Sequence, residues 1–573
     1  MSPLDQLILR IETHLTAIYG EGDHAELVER LIDAMRLREH FFEPVPFENH
    51  WSENDIAVMT YGNTFQREGS KPLEELSRFL ENRLGEAITW VHVLPYFPWT
   101  SDDGFAISDY DQVKPELGDW SHIEALAENY AIMSDLVVNH CSASHKWFGQ
   151  FQNGEEPGCR YFVEASPEAN LSEVVRPRTS DLLRPTQTPS GEKHVWCTFG
   201  HDQIDLNFAE TDLLVELVKI IRSHLEHGVS IFRLDAVAFV WKEIGTRCIN
   251  LPQTHELVRL FRTLIEHVKP DAIIITETNI PNQENLAYFG NSNEAHGIYN
   301  FSLPPLLLHA LVTGNSFHLK QWLMRMPPAQ PGTVYFNFIA SHDGIGLRPA
   351  EGLLQDEEID ELVEVMKSRG ARISERALAG GAKRPYEINI SLFDALGGEA
   401  QFFCAHTVLL ALEGIPAFYI HSLLGTRNDL ERVGKTGHNR HINRHQWDAD
   451  ELDRLLDDPD SPHSRVLGKM LQLIEIRKKQ KAFHPSATQF VLHFDDGVFA
   501  FWRQSLDRRS SIFCFHNVSN LEQRIPISSV NLIGTEDWLD LMSGEPIDPT
   551  IPELIMRPYQ CIWLVNQRKH LPY

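Results

Sequence analysis

Long hydrophobic runs are missing from this chain. No apolar stretch approaches the roughly 20 residues needed to cross a bilayer, so no membrane role is expected. The opening residues, Met1-Ser2-Pro3-Leu4-Asp5-Gln6, carry no basic region ahead of an apolar one, so no secretory signal is expected either. Cysteine is sparse. Seven are scattered singly (Cys141, Cys159, Cys197, Cys248, Cys404, Cys514 and Cys561), without a Cys-x-x-Cys pair. An odd number without close pairs fits reduced thiols in the cytoplasm better than a disulfide framework, and no metal site is expected. Positive charge is outnumbered: 51 Lys plus Arg stand against 80 Asp plus Glu, a formal charge of −29. Nonspecific binding to nucleic acid is thereby disfavoured. An anionic ligand would be repelled at long range and must be held by Arg, Lys or Tyr donors at short range.

The chain has 573 residues, 42% of them hydrophobic and 23% charged, as in a soluble globular protein. Residues 1–54 read as a helical segment. Leu7, Ile8, Ile11, Leu15 and Ile18 share one helical face, and Leu27, Leu31, Ile32 and Met35 share another. These helices are expected to cover a flank of the main domain or to contribute to an interface. From residue 55 short apolar runs alternate with longer amphipathic stretches. The runs are Ile56–Tyr61, Trp90–Leu94, Ile132–Val138, Val229–Leu234, Ile273–Thr276, Ile298–Phe301, Val334–Ile339 and Ile415–Ile420. Helical segments such as Leu213–Leu225, Thr254–Val268 and Glu357–Lys367 separate most of them. Eight strand–helix alternations predict an α/β fold of the (β/α)₈ barrel type over residues 55–484.

Two intervals are too long for single crossovers. Residues 141–205, rich in Pro, Ser and Thr and without a strong helical period, are expected to form an inserted subdomain. Residues 344–400 hold a helix and the glycines Gly370, Gly380 and Gly381, and are expected to form a mobile loop region over the barrel mouth. Beyond residue 485 the pattern turns to strands. Phe490–Phe494 and Val498–Trp502 flank Asp495-Asp496-Gly497 as a hairpin, and Ser511–Phe515 and Cys561–Val565 follow, giving a C-terminal β-domain over 485–573.

In a parallel barrel the chemistry sits where the strands end at their C-terminal face. The third run leads to Asn139-His140, the fourth to Arg233-Leu234-Asp235, the fifth to Glu277 and the seventh to Ser341-His342-Asp343. A lone strand-end Asp is more often a helix cap, but four such ends would bring three carboxylates and two imidazoles to one mouth. Paired carboxylates on neighbouring strands are what glycosyl transfer requires: one attacks the anomeric carbon and the other protonates the leaving oxygen. Arg233 lies two residues before Asp235, on the same strand face, where its guanidinium would orient that carboxylate and keep it ionised. Glu277 follows Ile273-Ile274-Ile275-Thr276, a setting that would raise its pKa and suit an acid.

The segments Asp135–His140, Phe232–Val237, Ile275–Thr278 and Phe338–Asp343 resemble the four signature regions of the α-amylase clan, glycoside hydrolase family 13. The resemblance implies that Asp235 is the nucleophile, Glu277 the acid/base and Asp343 the transition-state stabiliser, with Arg233, His140 and His342 around the donor sugar. Ser101-Asp102-Asp103-Gly104-Phe105 and Asn439-Arg440-His441-Ile442-Asn443-Arg444 resemble the sucrose phosphorylase branch. There an Asp, here Asp102, holds glucosyl hydroxyls and pairs with an Arg, here Arg440, while Phe105 forms an apolar wall. Arg176-Pro177-Arg178 and Pro385-Tyr386-Glu387-Ile388-Asn389 resemble the phosphate-binding segments of that branch, which implies that Arg178 and Tyr386 hold phosphate.

The chain departs from sucrose phosphorylases at Asn279, at Lys383-Arg384 and at Glu387, all on the phosphate and acceptor side. Thr276–Pro281, Asn285–Gly290 and Phe301–Pro305 resemble glucosylglycerate phosphorylases, which implies an acceptor bearing a carboxylate and a meeting of that carboxylate with Arg384. Retaining phosphorolysis of an α-glucoside is the expected activity, with phosphate as co-substrate and no cofactor. Sucrose, sucrose 6′-phosphate and glucosylglycerol phosphorylases, or a hydrolase of the clan, are the alternatives. The expected partners are small molecules, and the expected state is a monomer or a homodimer.

Overall fold

The structure is a computed structural model and describes residues 2–377, 383–530, 537–548 and 550–567. Eight parallel strands close into a barrel: β1 (Ala57–Tyr61), β2 (Trp90–Leu94), β3 (Ala131–Val137), β4 (Val229–Asp235), β5 (Ile273–Thr276), β6 (Gly297–Tyr299), β7 (Val334–Phe338) and β8 (Ile415–Tyr419). They follow one another around the barrel in chain order, and β8 pairs back onto β1, with Ala417 opposite Ala57. The strands are rich in Val, Ile and Phe and almost wholly buried, as expected where helices cover one side of a sheet and a packed barrel interior the other. Among the described residues no helix is long and apolar enough to cross a membrane.

The first helix, Pro3–Tyr19, begins with a capping box in which Ser2 accepts from the Asp5 N–H and Asp5 accepts from the Ser2 N–H. It buries Leu7, Ile11, Leu15 and Ile18 and rests on the barrel helix Pro252–Glu266, where the His14 ring lies 2.5 Å from Glu256 and 3.0 Å from Thr263. The second helix, Ala25–Ala34, meets the barrel helix Thr211–Glu226 through Arg30, which reaches Asp212 at 2.6 Å. Both helices cover a barrel flank.

Two stretches are more ordered than the sequence suggests. Within 141–205 an eight-residue helix, Lys146–Asn153, packs on Trp147, Phe148 and Phe151. It is too short to register as a period. A hairpin of Leu183–Thr188 with Gly191–Trp196 follows, and Gln203–Asp205 pairs with His140–Ser142 to bring the chain back to the barrel. Among its described residues the interval 344–400 carries a sheet as well as the expected helix. Ile345–Gly346, Lys383–Asn389 and Arg372–Ala377 form an antiparallel sheet beside the helix Asp356–Ser368. Its two longer strands mix charged and polar residues with few apolar ones, so no apolar run marks them. Gly380 and Gly381 lie outside the described residues.

The C-terminal sheet is antiparallel, in the order Thr488–Leu492, Val498–Gln504, Ser511–Asn517, Cys561–Gln567, Asp537–Asp540 and Pro546–Ile547. The last two of these carry no strong strand pattern and escape a reading of the sequence.

Candidate active site

The register of β3, β4 and β5 assembles the charged floor of the mouth. Asp135 on β3 stands opposite Arg233 on β4, and Val137 opposite Asp235. Residues two apart on a strand share a face, so Arg233 and Asp235 point the same way. Arg233 donates from one nitrogen, Nη1, to both Asp135 and Asp235, the latter at 2.7 Å. Its Nη2 stands 3.8 Å from Glu277 Oε1. Asp135 also accepts from His92 Nε2 at 2.8 Å. Glu277, the first residue after β5, accepts from the Ala236 N–H at 3.1 Å. One buried guanidinium thus touches or approaches three carboxylates.

Asp235 and Glu277 are each only 8% exposed. Burial raises the pKa of both, and Arg233 works against it in both. Arg233 pulls harder on Asp235, which it contacts directly. Asp343 differs. Burial would raise it too, but Arg440 at 2.7 Å, with Arg444 and Arg233 beyond, brings it below the usual carboxylate range. Burial pushes His140 down to about 4 and His342 well below its ordinary value, so both rings are neutral near pH 7. The His342 ring stacks on Phe105 at 5.2 Å between centroids, which holds Phe105 as a wall of the site.

Asp102, Phe105, His140, Arg178, Asp235, Glu277, Asn279, His342, Asp343, Tyr386 and Arg440 all line one cavity at the barrel mouth. Arg178 comes from the inserted stretch and lies 5.9 Å from the ring centroids of Phe199 and Tyr386. The Tyr386 hydroxyl accepts from Asn279 Nδ2 at 3.3 Å.

Two expected placements change, and a third is loose: Arg440 pairs with Asp102 only at 3.9 Å. Glu387 takes its fork instead, at 3.0 Å from Nε and 2.8 Å from Nη2, leaving Nη1 for Asp343. The close contacts between the two segments run to Asp103, from Arg444 at 2.5 Å and from His441 at 2.7 Å. Glu387 is therefore buried beneath Arg440 and does not line the cavity. Arg384 does not line it either. Its guanidinium is bound to Asp356, the first residue of the helix Asp356–Ser368, and Lys383 reaches Glu375 at 3.6 Å.

Other lining or supporting residues are not evident from the sequence. Asp135 sits inside a recognisable segment, but its pairing with Arg233 needs the register of two strands. Gln203 donates to Asp102 at 3.3 Å from the end of the inserted stretch. Arg348 lines the cavity from the interval read as a loop. The oxygens of Asn139 and Asp205 are occupied by Lys242 Nζ, at 2.6 and 2.7 Å.

The family model described as "Alpha amylase, catalytic domain" matches residues 82–345. The chain is 38% identical over 593 residues to a glucosylglycerate phosphorylase of Spirochaeta thermophila, covering 99% of this chain and 100% of the relative. It is 37% identical over 574 residues to a glucosylglycerate phosphorylase of Escherichia coli, covering 97% and 99%. The solved structure of a sucrose 6F-phosphate phosphorylase from Thermoanaerobacter thermosaccharolyticum shares the fold, with a TM-score of 0.72 at 24% identity over 88% of this chain and 98% of that one.

Proposed function

The chain belongs to the glucosylglycerate phosphorylase family of the α-amylase clan, and from that premise we propose that it converts 2-O-α-D-glucosylglycerate and phosphate to α-D-glucose 1-phosphate and glycerate. One observation carries this reading: Asp235, Glu277 and Asp343 line a single cavity together with Arg178 and Tyr386, donors suited to phosphate.

The proton of the carboxylate pair belongs on Glu277. Burial favours a neutral form in both groups, but Arg233 donates directly to Asp235 and stands farther from Glu277. Asp235 is then the charged nucleophile. In the first step an Asp235 oxygen bonds to the anomeric carbon. The bond from that carbon to the glycerate 2-oxygen breaks, and Glu277 gives that oxygen its proton. Glycerate leaves and a β-glucosyl ester remains. In the second step a phosphate oxygen attacks the same carbon from the vacated face. The ester bond breaks, Asp235 recovers its charge, and Glu277 accepts the proton that phosphate gives up. Two inversions leave the α configuration. Asp343, kept ionised by Arg440, supports the positive charge that develops on the sugar. Arg178 and Tyr386 hold the phosphate so that it outcompetes water for the ester.

We place the activity in the cytoplasm, a reading supported by seven cysteines of which none is in a disulfide. It needs no cofactor, acts on small molecules and works as a monomer or a homodimer. The test is to supply glucosylglycerate with and without phosphate and to quantify glucose 1-phosphate against free glucose. Glucose 1-phosphate should dominate when phosphate is present. Glucose release at the same rate without phosphate would mark a hydrolase and overturn the reading.

A further inference from the structure

Three arginines line the cavity, and their surroundings differ. Arg440 is committed to Glu387 and Asp343. Arg178 lies near two aromatic rings. Arg348 is only 7% exposed, yet among the described residues no hydrogen bond or ion pair reaches its guanidinium. Neighbouring cations offer no substitute for it. Arg376 is bound to Glu351 at 2.5 Å, Arg384 to Asp356 and Lys383 to Glu375.

We propose that Arg348 reads the carboxylate of the acceptor, and so sets the preference for a carboxylate-bearing acceptor over a neutral polyol. This rests on the phosphorylase reading above. A buried cation without a counter-ion is costly, and the cost is relieved whenever an anion enters. Burial pulls Arg348 below its ordinary pKa; Tyr386 and the more distant carboxylates of Glu351 and Glu284 act in the opposite direction without forming an ion pair with it. A planar guanidinium fork matches a carboxylate with two parallel hydrogen bonds.

Position points to the leaving-group side. Arg348 begins the short helical turn Arg348–Ala350. The Leu347 N–H donates to the Tyr386 carbonyl at 2.9 Å, and the Ser302 hydroxyl donates to the Pro349 carbonyl at 3.0 Å. Arg348 and Tyr386 therefore ride on one hydrogen-bonded unit. That unit presses on Asn279, two residues beyond Glu277: Asn279 Nδ2 donates to the Tyr386 hydroxyl, and a Cβ on Gly346 would stand 3.1 Å from the same nitrogen. The unpaired guanidinium thus belongs to the wall beside the residue that protonates the departing oxygen. Arg178 enters from the inserted stretch and keeps the phosphate role.

The test begins with the wild-type protein, phosphate and glucosylglycerate. If no glucose 1-phosphate forms, the functional reading fails and this inference falls with it. If it forms, Arg348→Gln and Arg348→Lys are compared in the synthetic direction, with glucose 1-phosphate as donor and either glycerate or glycerol as acceptor. Both acceptors meet the same glucosyl ester, so the ratio of their kcat/KM values does not depend on how much variant folds. Arg348→Gln should lose about 30- to 100-fold with glycerate, and at least about tenfold less than that with glycerol. Arg348→Lys should recover part of the difference. Equal losses on the two acceptors would overturn the proposal. So would a rise in KM for phosphate as large as the loss on glycerate, which would assign Arg348 to phosphate instead.

Discussion

The two halves of the cavity are built on opposite electrostatic plans. On the donor side the charged groups are tied to partners within the protein. Arg233 is shared among Asp135, Asp235 and Glu277, and Arg440 between Asp343 and Glu387. On the acceptor side Arg178 and Arg348 make no ion pair with an acidic residue among the described residues. The donor side handles a neutral sugar and must hold its own charges in place before substrate arrives, so that little reorganisation accompanies the reaction. The acceptor side handles anions and leaves its counter-ions to them. In a chain of formal charge −29, two guanidiniums without an ion pair can act on an anion at short range, where long-range repulsion matters least.

The comparison breaks most completely at the donor side. Asp235→Ala removes the nucleophile and should lower turnover by on the order of 10⁴-fold or more on every donor, whatever the acceptor. A steady-state assay with glucosylglycerate, sucrose and glucose 1-phosphate would show it. Loss confined to one donor would mean that Asp235 serves binding rather than bond making. On the acceptor side the expected effects are smaller and ligand-specific. Arg178→Ala should raise KM for phosphate by about 10- to 100-fold and increase the share of free glucose among products, because water then competes better for the ester. An unchanged ratio of glucose to glucose 1-phosphate would remove Arg178 from phosphate binding.

The donor side also costs stability, which gives a third test. Glu277 is held with a raised pKa, so its folded form retains a proton that the unfolded chain releases above about 4.5. The sign follows. Below the unfolded value both states are protonated and nothing is lost. As pH rises through 4.5 the unfolded state gains by ionising, and the wild type loses stability until the folded group ionises too. Glu277→Gln keeps an oxygen for the Ala236 N–H and removes this penalty. Its Tm should exceed the wild-type value by about 1–2 °C near pH 7, and the gap should close toward pH 4. Calorimetry at several pH values reads it. A gap that widened on acidification would mean that Glu277 is stabilised as the charged form.

The same contrast governs what could be read without coordinates. Barrel strands announce themselves by runs such as Ile273-Ile274-Ile275 and Val334–Ile339, because burial on both faces demands unbroken apolar side chains. Once those runs are placed, the residues at their ends follow, and Asp235, Glu277 and Asp343 can be named from the chain alone. The acceptor wall leaves no such mark. The strands Arg372–Ala377 and Lys383–Asn389 are largely polar in sequence, so they look like loop, and Arg348 stands in a short turn that no apolar run marks. Asp135 shows the same limit in a smaller way: its segment is recognisable, but its bond to Arg233 depends on how two strands are aligned.

Arg384 sharpens the lesson with the smallest expected effect. Its place in the segment where the chain departs from sucrose phosphorylases implies that it should meet the acceptor. In the folded chain Pro385 separates two residues with different surroundings. Tyr386 is buried against Asn279, whereas the Arg384 side chain is 30% exposed and bound to Asp356 at the start of a helix. Such a partly exposed ion pair contributes little, about 0–1 kcal/mol. Arg384→Ala should therefore change kcat/KM by less than about threefold with glycerate, and by the same factor with glycerol. Measured beside the Arg348 variants on the same two acceptors, it separates the two assignments. A loss specific to glycerate in Arg384→Ala would mean that Arg384 leaves Asp356 when the acceptor binds, and that the wall offers one more cation than Arg178 and Arg348.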